Sequence, residues 1–356
     1  GILDEHTRPA AKMGCSGSKQ DSAVTQAPQK KGKDQKECDL ADRGLTELPQ
    51  VPLHVEKLDC SENQITVLPP AIGGLSHLQV LDCNGNKLTT LPVELASCAS
   101  LVELLCYKNE IKELPKELNG TNLPALTTLN LFNNKLRKLP NELGTISTLT
   151  ELNLAANKLM MLSDDIFLSW SAVKVLNLYD NNLVRLGSLE PLEQLTEIRL
   201  YGNNLEEMPK FGKGGKALEV MELHKNRVAS TPEGYFAGLP ELKRLVLNNN
   251  MLASLDGSIC ACSKLESLQV QENQLEALPE GVWPSTLSTL FLQDNKLTAL
   301  PDGISGVASL TRVNLKGLPL AETGEGSETS KIQKKLMATP GAVFWSTDGR
   351  KWDSPA

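Results

Sequence analysis

One spacing constrains this chain more than anything else in it. An asparagine returns every 22 to 25 residues, at Asn63, Asn86, Asn109, Asn134, Asn157, Asn181, Asn203, Asn226, Asn250, Asn273 and Asn295. Each closes the phrase LxxLxLxxNxL, plainest in "LTTLNLFNNKL" (126–136) and "LTELNLAANKL" (149–159). A degenerate unit precedes the series, with Arg43 in the asparagine place, and another follows, with Leu318 there. A steady period in the twenties means one supersecondary unit per repeat, stacked on its neighbours. The 356 residues therefore do not divide into several globular domains by length alone, because the repeat overrides that prior.

The letters of each unit say how it folds. The two leucines of LxL are two apart, so on a strand both point to one face. Strands stacked side by side then make a parallel sheet with its leucine face buried. The asparagine lies where the chain leaves the strand, and its amide can donate to and accept from backbone groups of adjacent coils that burial would otherwise orphan. A Leu-Pro pair follows, as at Leu68-Pro69, Leu91-Pro92, Leu114-Pro115, Leu139-Pro140, Leu278-Pro279 and Leu300-Pro301. Proline ends the strand and starts an outer arm too short for more than a turn or two of helix. Strands pack closer together than the arms, so the sheet is expected to line the concave side.

Composition removes several classes of function. A net charge of −7 with pI near 5.4 lacks the basic face that collects phosphates, so no nucleic-acid partner is expected. No apolar run is long enough to span a bilayer, and no apolar secretion signal opens the sequence. The eight cysteines lack paired spacing. Cys38, Cys60, Cys83 and Cys106 fall on inward strand positions, and the expectation is of small buried hydrophobes in a reducing compartment. Cys260 and Cys262 have no CxxC partner and no histidine pair nearby, so no metal is expected. The four histidines, His6, His54, His77 and His224, form no triad or metal phrase. "GKGGK" (212–216) has the glycines and lysines of a phosphate loop without its GK[ST] ending, and falls in an outer arm. The sequon Asn119-Gly120-Thr121 would matter only in a secreted chain. No catalytic residue, cofactor or small-molecule substrate is expected.

The phrase "NKLxxLPxxLxxLxxL" resembles the intracellular leucine-rich-repeat proteins that include Ras-interacting scaffolds and the plant Ras-group-related proteins. The resemblance covers residues 38–320. It implies an α/β fold: a right-handed leucine-rich-repeat solenoid, or horseshoe, with a concave parallel β-sheet and a C-terminal cap. It also implies a scaffold or adaptor in signalling of the small-GTPase type. The pattern is broken at Leu186-Gly187, Thr231-Pro232 and Leu255-Asp256. There "LGSLEPLEQL", from Leu186, is closer to the repeats of a phosphatase-regulatory branch. A regulatory subunit of a protein phosphatase is thus the alternative reading, and an enzyme with its chemistry in the tail is a third with no residue set behind it.

Residues 1–37 are polar and read as a disordered segment. Within them "MGCSGS", from Met13, matches the N-myristoylation pattern at Gly14, with Cys15 placed for palmitoylation. Lys30, Lys31, Lys33 and Lys36 follow. A single acyl chain binds membranes only marginally, so the second signal matters. Small N-myristoylated leucine-rich-repeat proteins open in a similar way, leading into text like "DRGLTELP", here 42–49. The alternative is that Gly14 is never N-terminal. The lipid reading predicts a cytoplasmic protein peripheral to the inner face of a membrane. Residues 321–356 abandon the repeat: "GEGSETS" reads as a linker, 331–337 as a short helix, and "VFWSTDGRKW" as a hairpin turning at Asp348-Gly349. Phe344, Trp345 and Trp352 are expected to cap the last coil.

Two residues before each asparagine the side chain faces the concave hollow. That column reads Ser61, Asn84, Tyr107, Phe132, Ala155, Tyr179, Tyr201, His224, Asn248, Gln271, Gln293. Four aromatics in five consecutive coils stand out in a chain only 4% aromatic. Solvent-facing rings on a rigid sheet are the material of an interface hot spot, although strand propensity and cross-strand packing would also select them. The candidate partner site is Tyr107, Phe132, Tyr179, Tyr201 and His224, with Lys108, Asp180, Arg199, Glu222 and Lys225 as a polar rim. Ala155 is expected to leave a gap that accepts a partner side chain. The glutamine coils are expected to contribute little.

Overall fold

The computed structural model describes residues 36–320 and 326–353. Among them, fourteen short strands pair in parallel in a single sheet and a fifteenth, Lys351–Asp353, closes it antiparallel. The chain is a leucine-rich-repeat solenoid. Strand order follows chain order except where a second, two-stranded sheet of Met161–Leu162 and Arg185–Leu186 is set aside. Each main-sheet strand is only three residues long because the chain turns out of it at once, and the central residue points inward. Leu58, Leu81, Leu104, Leu129, Leu152 and Leu176 lie opposite one another in register, and Ile198, Met221 and Leu245 continue the row. Behind it runs a second inward row, including Cys60, Cys83, Cys106, Leu131, Leu154 and Leu178, all with no exposed surface. Cys38 sits in the edge strand and is only half-buried, since one side of its coil has no neighbour among the described residues. Burial pushes the Cys98 and Cys262 thiols up to about 11, which makes them packing groups with little thiolate character.

The asparagine ladder does the accounting anticipated from the repeat. Asn157 Nδ2 donates to Leu131 O of the preceding coil at 2.9 Å and to Leu154 O and Ala155 O of its own. Its Oδ1 accepts from Leu136 N at 3.0 Å. The same pattern holds at Asn86, Asn109 and Asn134. The residue before each asparagine is left-handed in every coil: Lys108, Asn133, Ala156, Asp180 and Lys225 have φ between 51° and 55°. Three coils place glycine there, Gly85, Gly202 and Gly317. The repeat spacing gives no hint of this turn, because most coils tolerate an ordinary residue in it.

Eight outer arms among the described residues carry a 3-10 turn of three to six residues, three of them entered directly from the proline. Where proline is missing, a backbone N–H is free to pair, and the chain uses it. Gly187 N donates to Leu162 O at 3.1 Å, which builds the small second sheet and accounts for the break at Leu186-Gly187. The "GKGGK" loop is a packed arm: Gly214 and Gly215 are buried, and a Cβ on Gly215 would stand 2.5 Å from Leu239. Its glycines serve close approach, not phosphate.

The tail packs back on the last coil. Helix Glu328–Met337 starts before the expected 331, capped by Ser327 Oγ accepting from Ser330 N at 3.2 Å. Ile332 and Leu336 are buried, and Glu328 accepts from Ser305 N. Strand Val343–Trp345 extends the main sheet, with Phe344 continuing the inward row. Trp345 does not join that cover. It faces the other side of the sheet, where its ring meets Phe291 edge-on at 6.0 Å, because alternate strand residues face opposite ways. The Trp352 side chain lies outside the described residues, as do Gly14 and Cys15.

Candidate functional site: the concave aromatic column

Strand pairing brings the column together. Tyr179 and Tyr201 stack at 4.5 Å between centroids, 10° from parallel, and Tyr201 and His224 stack at 4.3 Å and 12°. Neighbouring strands are about 4.8 Å apart, so rings on consecutive coils can lie face to face without strain. Phe132 is two coils before Tyr179, about 9.6 Å away by the same spacing. Yet the two rings approach to 6.1 Å at a tilt of 45°. They lean over Ala155, which has no exposed surface. The expected gap at Ala155 is therefore closed, since the small side chain lets its neighbours converge. Tyr107 is half-buried one coil before Phe132.

A stack of this kind presents ring edges to solvent and hides ring faces. The phenol of Tyr201 is held well above the ordinary tyrosine range by burial and then by Tyr179, so it stays a neutral donor and acceptor. The imidazole of His224 is pushed down by burial, against the raising influence of Glu222, and its Nδ1 is enclosed without a hydrogen-bond partner. The same holds for Gln271 Oε1 and Gln293 Oε1 further along the column. Buried polar atoms without partners are uncommon in folded proteins. The two glutamines thus leave acceptors unmet in coils expected to contribute little to binding.

Arg199 and Glu222 also stand elsewhere than expected. They are not a rim around the rings but a second column, two residues earlier on each strand and paired in register. Arg199 bonds Asn177 Oδ1 at 3.0 Å, pairs with Glu197, and reaches Glu222 at 3.5 Å. Glu222 in turn holds Arg244 at 3.2 Å. Their side chains are only 23% and 14% exposed, so their charge is largely spent on the sheet itself. Counting back four residues from each asparagine would have found this column, which runs Asp59, Asp82, Leu105, Asn130, Asn153 and Asn177 before it reaches Arg199. Lys108, Asp180 and Lys225 are exposed beside the rings, each carried by the left-handed turn. Among the described residues no group of three or more His, Cys, Asp or Glu side chains is arranged to hold a metal, and no helix is long and apolar enough to cross a membrane.

Comparison with known proteins agrees with this geometry. Leucine-rich-repeat family models match residues 54–96, 125–146, 147–205 and 216–275, together just over half of the sequence, and the chain belongs to the leucine-rich-repeat family. It is similar to human leucine-rich repeats and immunoglobulin-like domains protein 3, at 31% identity over 38% of this chain and 12% of that protein. It is similar to keratocan of Danio rerio, at 31% identity over 43% of this chain and 45% of that one. The chain spans less than half the length of these curated relatives. Among solved structures, a leucine-rich-repeat protein of Leptospira interrogans superposes with a TM-score of 0.63 at 26% identity, covering 84% of this chain and 88% of the other.

Proposed function

We propose that this is a protein-binding scaffold or adaptor whose concave column, Phe132–Tyr179–Tyr201–His224 with Tyr107 at its head, is the centre of the interface. The observation that carries this reading is the ring stack. Four rings meet on a face that the core does not need; one of them, His224, encloses a nitrogen without a partner, and Gln271 and Gln293, two and three coils on, enclose two more such atoms. Apolar ring edges at the centre of a patch, bordered by groups that need a hydrogen bond, make the composition of a hot spot. The fuller reading places the protein in the cytoplasm, tethered to the inner face of a membrane by acylation at Gly14 and Cys15, in small-GTPase-type signalling. The reading of a reducing compartment rests on the cysteines serving as packing groups in the inward row, Cys60, Cys83 and Cys106 among them.

Affinity purification from cells, with intact protein and with Tyr179→Ala/Tyr201→Ala, tests the site. The expected outcome is loss of the partner with the fold intact, at a cost of about 2 kcal/mol or more in affinity. A partner that survives the tyrosine changes and is lost on changes to the outer arms would overturn the concave reading. A stoichiometric phosphatase catalytic subunit in the eluate would establish the regulatory-subunit alternative instead.

A further inference from the structure

The flank of the solenoid where the chain leaves each strand carries a charge that the composition hides. In a chain of net charge −7, Lys112, Lys135, Arg137, Lys138 and Lys158, with Glu113 as the single carboxylate among them, surround one open recess of about 590 Å³. Lys135 pairs with Glu110 at 2.7 Å, and that carboxyl is held below its usual range by Lys135, Lys112 and Lys87. Among the described residues, Lys112, Arg137, Lys138 and Lys158 form no side-chain ion pair, and all four are exposed. The next positions on the same flank turn apolar. Met160 and Met161 are each 63% exposed and Val184 is 41% exposed, an unusual cluster for a surface that no partner covers.

We propose that this ledge docks an extended acidic segment of a partner protein that also carries apolar side chains. The ledge crosses four coils, about 14 Å at three strand spacings, which matches roughly four or five extended residues. Acidic side chains would meet Lys112, Arg137, Lys138 and Lys158, and apolar ones would lie on Met160, Met161 and Val184. The coils are those of Tyr107, Phe132, Ala155 and Tyr179, so the ledge borders the aromatic column along its whole basic stretch. An anionic bilayer fits less well. A flat surface laid on this flank would also meet the exposed Glu206, Glu207 and Glu276, which occupy the same positions in later coils and repel like charge.

The proposal stands apart from the concave reading, because the asparagine ladder separates the two surfaces and each can be altered alone. The probe is a short fluorescein-labelled peptide of Glu and Leu, titrated into the full chain and followed by anisotropy. A Lys-Leu peptide and phosphatidylserine-containing vesicles are the comparison arms. The Glu-Leu peptide should bind, weaken with added salt, and lose about tenfold or more in affinity with Lys112→Glu/Arg137→Glu/Lys138→Glu. Met160→Ser/Met161→Ser should weaken the Glu-Leu peptide while leaving a peptide of Glu alone unchanged. Tyr179→Ala/Tyr201→Ala should have no effect on either. Equal binding by the charge-reversed chain would overturn the proposal. So would vesicle binding abolished by that variant in the absence of peptide binding, which would make the ledge a membrane face. Unchanged circular dichroism and melting of each variant separate these outcomes from unfolding.

Discussion

At the scale of single residues, the asparagines do what the leucines beside them cannot. Removing a leucine methyl group loses contacts, but removing an asparagine amide orphans a buried backbone N–H and takes one of two donors from the carbonyls it bridges. Asn157→Ala would leave Leu136 N without a partner in a place with little room for water, while Leu131 O and Leu154 O keep the amides of Asn134 and Asn181. An orphaned buried group costs about 1–3 kcal/mol, so urea unfolding of the variant should show a loss of that size. His224 gives a pH dependence of definite sign. Its pKa is lowered in the fold by burial, so the unfolded chain takes up the proton first as pH falls below about 6.5. The stabilisation from its neutral form is complete above that pH and is lost as the pH drops from there through the folded pKa. Between pH 7.5 and 5 the wild-type chain should therefore lose more stability than His224→Phe; equal losses would show that the imidazole is not enclosed as described.

At the scale of elements, the outer arms explain where the repeat can vary. Proline fixes the exit from the strand in most coils and denies the arm a backbone donor. In one coil that lacks it, Gly187 donates to Leu162 O and the arm becomes a strand. This pairing requires close approach: a Cβ on Gly187 would lie 2.8 Å from Asp164 N and 2.9 Å from Ser163 C. Gly187→Ala should thus cost about 1–3 kcal/mol through overpacking, measurable as a lower urea midpoint. A neutral result would mean that the two coils can part without penalty. The long arm that follows Met161 compensates with mass. Phe167 and Trp170 meet edge to face at 5.7 Å, and Trp170 Nε1 donates to Leu143 O at 3.3 Å.

At the scale of the whole molecule, each coil touches mainly its neighbours, so stability and function are both distributed along one axis. The helix Glu328–Met337 covers the outer arm of the last repeat, and Val343–Trp345 continues its sheet. The rings, the ion-pair column and the basic ledge lie at different angular positions around the same central coils. One partner could therefore engage several surfaces, which raises avidity without strengthening any one contact. The membrane reading belongs at this scale too. Protein produced in cells from Met13 should sediment with membranes, and Gly14→Ala should release it; equal soluble fractions for the two would remove the lipid anchor from the account.

The sequence by itself determined the solenoid, its register and the identity of its buried rows. These follow from a period of two along each strand and a period of 22 to 25 between coils, and both are local patterns that backbone geometry must obey. It also placed the rings in one column, because register follows from the asparagines. What only the tertiary structure decided was how side chains on different coils share space. The closing of Phe132 onto Tyr179 over Ala155 and the spending of Arg199 on Asn177 and Glu222 depend on neighbours about twenty or more residues distant in the chain. The basic ledge was hidden for the same reason: Lys112, Arg137 and Lys158 are scattered in sequence, and stacking parallel coils about 4.8 Å apart is what brings their charges together.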